Sequence, residues 1–168
     1  PHVIAEKEAC CGMPKLELGD LDSVARLKDI NIPVLASLAR DGYAILTAVP
    51  SCTLMFKQEL PLMFPDDEDV KAVREAMFDP FEYLMLRHKD GLLKTDFKKD
   101  LGKVSYHIAC HLRVQNMGQK TREVLQLADH LGSPEHARDA AMLAVALGDL
   151  QVHQRQLLDK LSSHLVRN

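Results

Sequence analysis

The chain has 168 residues, 46% of them hydrophobic and 27% charged, with a formal net charge of -3. That is enough for one domain with a real core, or one domain with an added helical segment. It gives no electrostatic reason to expect nucleic acid. The longest uninterrupted apolar stretch, Ala140 to Leu147, is far too short to cross a bilayer. There is no G-x-S-x-G elbow, no phosphate-binding glycine loop and no H-E-x-x-H helix, so no hydrolytic constellation stands out. Four cysteines without a visible secretory signal read as reduced thiols or metal ligands in a cytosolic protein.

In chain order, His2 to Ala5 is strand-like with nothing before it to pair with, and the first residue is Pro1 rather than methionine. The expectation is a fragment or a processed product. Cys10-Cys11-Gly12 follows. Adjacent cysteines point in different directions, which suits neither one zinc ion nor an unstrained disulfide. A cluster with several irons lets each thiolate find its own metal atom, and glycine lets the backbone wrap closely around it. Asp20 is placed to cap a helix over residues 21–40, in which Val24, Leu27, Val34, Leu35 and Leu38 recur at helical spacing. Pro33 is expected to kink or divide it.

Asp41-Gly42 ends that helix, and the nearly continuous apolar run 43–48 reads as a buried parallel strand. Pro50-Ser51-Cys52 reads as a loop, with a further helix starting over 53–58. Pro65-Asp66-Asp67 is a break, and helices are expected over 68–77 and 79–88, split by Asp79-Pro80. The acidic run Asp66-Asp67-Glu68-Asp69 lies at a helix start, where carboxylates satisfy free amides, so capping is preferred to cation binding. After the turn Asp90-Gly91, residues 103–107 read as a second strand and Ile108-Ala109-Cys110 as its loop. His107 and His111 flank Cys110, but their spacing matches no standard zinc pattern. Each cysteine thus follows a strand-like run. Ligands of open α/β sheets sit at the carboxyl ends of strands, so three cysteine loops could meet at one sheet edge.

The last part differs in character. Ser133 and Pro134 suit the start of a helix, and Leu143, Leu147, Leu150, Leu157, Leu161 and Leu165 form a stripe interrupted by Gln154. It reads as a helix packed on its own domain, with a docking or dimer helix as the sharper alternative.

At Cys10-Cys11-Gly12-Met13-Pro14 and Pro50-Ser51-Cys52-Thr53-Leu54-Met55 the chain resembles the CCG cysteine-rich domain. That family occurs in heterodisulfide reductase and in anaerobic glycerol-3-phosphate dehydrogenase, in each case in an iron–sulfur component of the complex. The run Val104-Ser105-Tyr106-His107-Ile108-Ala109-Cys110-His111 resembles the start of the family's second cysteine module. The resemblance implies an iron–sulfur protein that passes electrons for a dehydrogenase or reductase partner. It places Cys10 and Cys11 on the ligand pair, Cys52 on the closing cysteine of the first module and Cys110 on the opening cysteine of the second. All four are the candidate cofactor- and metal-binding residues.

The departures are specific. The family's cysteine upstream of the CCG triplet has no counterpart, Val49 stands where many members have the first cysteine of a C-x-x-C pair, and no second CCG triplet follows Cys110.

The expectation is therefore an α/β protein: a short parallel sheet with flanking helices and a helical C-terminal segment. Residues 1–131 would form the cysteine-rich iron–sulfur domain, and residues 132–168 the helical tail. The cofactor would be an iron–sulfur cluster of 4Fe–4S type. The partner would be an oxidoreductase subunit or electron carrier, and substrate chemistry would belong to that partner. The location would be cytoplasmic, or peripheral at the inner membrane face through a partner, with helix-mediated oligomerisation as a further option. The alternative is a cluster-free interaction module acting through its C-terminal helix. A thiol-redox pair of Cys10 or Cys11 with Cys52 is a third reading.

Overall fold

The computed structural model describes residues 2–5, 8–95 and 106–130. Gly12 turns the chain with a φ of 96°, and its carbonyl accepts the amides of Lys15 and Leu16 at 2.9 and 3.0 Å, which starts α1 (Met13–Glu17). Asp20 then caps α2 (Leu21–Arg40) by accepting the Ser23 amide at 3.2 Å. Pro33 lies inside α2 and does not divide it, although its ring removes one internal donor. Packing decides this: Val24, Ile32 and Ala36 on either side of Pro33 are fully buried, so the core holds the helix together as one unit.

β1 (Ile45–Leu46) leads into α3 (Pro50–Leu54), a π-helical turn (Met55–Glu59) and α4 (Leu60–Met63). Then come α5 (Glu68–Ala76), β2 (Met77–Phe78), α6 (Pro80–Lys89), α7 (Cys110–Arg113) and α8 (Lys120–His130). β1 and β2 pair in parallel, with Ile45 opposite Met77 and Leu46 opposite Phe78. α2 packs on α5, and the π turn packs on both α5 and β2. Ile32, Ile45, Met55, Leu60, Val70, Val73 and Met77 form the core between them, with Cys11 at its rim. The architecture is mixed α/β, a short parallel sheet flanked by helices, as the periodicity implied.

The acidic run starts α5. Asp67 accepts the amides of Asp69 and Val70 at 3.0 and 3.1 Å, and its other oxygen takes the Lys28 ammonium at 3.0 Å. Asp79 and Glu82 form a reciprocal cap on α6.

Four expectations need correction. Residues 2–5 form no strand; Val3 and Ile4 are more than half exposed, because among the described residues no neighbouring strand offers a ladder to their backbone. The strand beside β1 is β2, two residues that follow a helix directly and carry too little pattern to announce themselves. Of the expected second strand, 103–105 lie outside the described residues, and Tyr106 and His107 form no strand. Cys52 and Cys110 sit in the first turns of α3 and α7 rather than in loops. Pro50 explains the first case: its fixed φ and missing amide suit the first residue of a helix. The leucine-striped tail and its helix start at Ser133 lie outside the described residues.

Candidate functional site

Two chain segments build the site. The first is the turn at Cys10-Cys11-Gly12 ahead of α1, and the second is the first turn of α3 with Cys52. Met13 and Val24 are buried, and the Met55 methyl lies 3.6 Å from where a Cβ on Gly12 would project, so the turn is seated directly on the core. α3 is fixed to the end of β1 by a hydrogen bond of 2.6 Å between the hydroxyls of Thr47 and the fully buried Thr53.

These constraints bring three thiols together. Cys11 is buried, Cys52 half-buried and Cys10 exposed, and the Cys11 thiol lies close enough to interact with both of the others. The bond to Cys52, then burial, push the Cys11 thiol far above its ordinary value. That same bond draws Cys52 down, with help from the Ser51 hydroxyl and against the cost of its own burial. Their shared interaction thus favours the proton on Cys11 over Cys52.

Cys110 is exposed at the start of α7, and no interaction of its thiol with the other three is among the described contacts. α7 itself packs on α3, and His111 reaches back to Glu17 at the end of α1, Nε2 to Oε1 3.2 Å. Among the described residues no three Cys, His, Asp or Glu side chains are grouped so as to hold one metal ion. A shallow hollow lined by Ala39, Arg40, Tyr43 and Phe78 includes none of the cysteines.

Some buried polar groups were not legible as site residues. Asn31, in the middle of α2, accepts the Ala9 amide at 2.8 Å and donates to the Cys10 carbonyl at 3.1 Å. Its signal is present in the sequence, a carboxamide on the apolar stripe that runs through Val24, Leu27, Leu35 and Leu38. Gln115 donates to the Pro50 carbonyl at 2.9 Å and to the His111 carbonyl at 3.1 Å, and it lies in a stretch without periodicity to flag it. Asp79 is buried beneath its helix, and burial raises its carboxyl to about 6 against the pull of the Phe81 and Glu82 amides.

Residues 2–57 match the family described as CCG, a cysteine-rich domain. The matched segment contains the CCG triplet and Cys52, and ends before Cys110. CCG domains are generally found in iron–sulfur oxidoreductases. No solved structure matches the chain. Among the described residues no helix is long and apolar enough to cross a membrane.

Proposed function

We propose that this chain is an iron–sulfur electron-transfer subunit, holding a cluster on Cys10, Cys11 and Cys52 and relaying electrons for a dehydrogenase or reductase partner. The observation that carries this reading is the meeting of three thiols from two separate segments, both inside the part that matches the cysteine-rich family.

The residues suit such a group in donor type and arrangement. Thiolates are the soft ligands that iron–sulfur clusters take. Two of the three are adjacent, which is awkward for one ion and natural for a cluster whose irons are bound separately. Cys11 supplies the inner, desolvated sulfur, Cys52 the sulfur already biased toward thiolate, and Cys10 the outer one. The Met13 amide bonds to the Cys11 sulfur, and such bonds with the apolar shell tune redox potential. A bound cluster would supply one-electron transfer, leaving bond-making and bond-breaking to the partner. Three thiolates leave one iron of a four-iron cluster for another donor. Cys110 stays outside this set and marks the start of a second module.

Anaerobic reconstitution with ferrous iron and sulfide tests the reading. The expected product absorbs through sulfide-to-iron charge transfer and contains iron and sulfide near cluster stoichiometry. Protein that stays colourless and iron-free after that treatment would exclude it.

The Cys11–Cys52 contact also favours a second reading, a thiol/disulfide pair. Oxidation by a disulfide or peroxide would join the two sulfurs and remove two electrons and two protons. Thiol counting after mild oxidation, followed by peptide mapping, distinguishes the two: a Cys11–Cys52 bridge in protein that takes no iron selects the pair.

A further inference from the structure

Both halves of the cysteine site are held from below by a buried carboxamide. Asn31 is 4% exposed and Gln115 5% exposed. Burying such a group is costly unless its hydrogen bonds are made, and asparagine is a poor residue for a helix interior. Among the described residues Asn31 spends no bond on capping, and Gln115 spends one on the last turn of α7 and one across to Pro50.

Asn31 meets the cysteine turn with both ends of its carboxamide. Its Oδ1 takes the Ala9 N–H and its Nδ2 donates to the Cys10 C=O. The peptide that joins Cys10 to Cys11 is thereby fixed in orientation, and with it the directions in which the two thiols leave the chain. Asn31 keeps both bonds only while the turn lies on α2, so among the described residues its burial is compensated by this docking alone.

Gln115 does the same for the other segment. Its Nε2 donates to the carbonyl of Pro50, the first residue of the helix that carries Cys52. Its own backbone carbonyl accepts from Gln58 Nε2 at 3.1 Å, so the residue is tied to the chain on both sides of Cys52. The second bond of its Nε2, to the His111 carbonyl, draws α7 onto α3. Its Oε1 is buried without a partner among the described residues. Leaving an acceptor unsatisfied in that way costs free energy, so the residue is held where it is by the bonds of its amide.

We infer that Asn31 and Gln115 are the positioning residues of the cysteine site, Asn31 orienting Cys10 and Cys11 and Gln115 seating Cys52. The inference takes the cysteine site as the functional one and so rests on the proposed function, but its test needs no cluster.

The test uses the full chain with reduced thiols, as wild type and as Asn31→Leu and Gln115→Met, which keep side-chain volume nearly constant. Each cysteine is alkylated with N-ethylmaleimide and its rate is read by peptide mass spectrometry. In Asn31→Leu the Cys11 rate should rise roughly tenfold, equivalent to about 1.4 kcal/mol of local opening, with Cys52 lagging. In Gln115→Met the order should reverse, with Cys52 leading. Asn31→Asp keeps the acceptor for the Ala9 amide and should recover part of the protection, which also serves if the leucine variant does not fold.

Folded variants with unchanged rates at Cys11 and Cys52 would overturn the inference. So would a parallel rise at both cysteines in both variants, since that marks general loosening. Iron uptake by the wild type is measured beside these rates. Segment-specific rate changes in a wild type that takes no iron support the positioning roles while the cluster reading fails. Unchanged rates in a wild type that does take iron remove the positioning roles and leave the cluster reading standing.

Discussion

Gly12 holds a backbone conformation that other residues reach only with strain, at φ 96°. The nearest atoms to an added Cβ are side-chain and backbone carbons at 3.6 to 3.9 Å, an ordinary contact distance. Gly12→Ala should therefore act through the backbone and cost about 1–2 kcal/mol, read as a lower denaturant midpoint. Asp79 makes a different residue-scale prediction. Its folded pKa is raised to about 6 from an ordinary value of 3.8, chiefly by burial. Between those values the unfolded chain gives up the proton while the folded chain keeps it, so stability falls as pH rises through that window and stays lower above it. Asparagine caps helices about as well as aspartate and cannot ionise. Asp79→Asn should flatten the fall and gain on the order of 1–2 kcal/mol at neutral pH. Urea unfolding of both proteins from pH 4 to 7 checks it; parallel curves would show that the carboxyl does not carry the pH dependence.

At the scale of elements, legibility followed the strength of local signals. α2 could be read closely because Asp20, an apolar stripe and Asp41-Gly42 all mark the same span. α5 and α6 were readable from the acids at their starts. Asp67 now gives a number: Asp67→Ala removes two bonds to helix amides and one of the two carboxylate partners of Lys28, Asp29 being the other. The expected loss is about 1–2 kcal/mol, measured by thermal unfolding, with Asp67→Asn recovering the cap but not the ion pair. β2 escaped because strand identity lies in pairing, and the pairing of Met77 and Phe78 with Ile45 and Leu46 is long-range. The run at residues 2–5 failed for the converse reason, having strand-like composition without a partner among the described residues. Pro50 was taken as loop chemistry, although proline is equally a helix-opening residue, and Cys52 moved into a helix with it.

Across the whole molecule, the cysteine residues were legible while the contacts that seat them were not. Sequence spacing marks Cys10, Cys11 and Cys52 as special, but Asn31 and Gln115 become recognisable only when distant backbone is brought against them. The thiols that meet lie inside the matched segment, and Cys110 lies beyond it on α7. Cys11→Ser should abolish cluster content, because it replaces the buried sulfur that bonds to both other thiols with a harder, smaller oxygen. Cys110→Ser alters an exposed side chain and should leave iron and sulfide content intact. Both variants should be reconstituted beside wild type and their iron and sulfide determined chemically, with near-UV circular dichroism to show that each remains folded. Equal loss of iron in the two would mean that α7, already docked on α3, delivers Cys110 into a single site with the first three cysteines. The module boundary between Cys52 and Cys110 would then have no functional meaning in this chain.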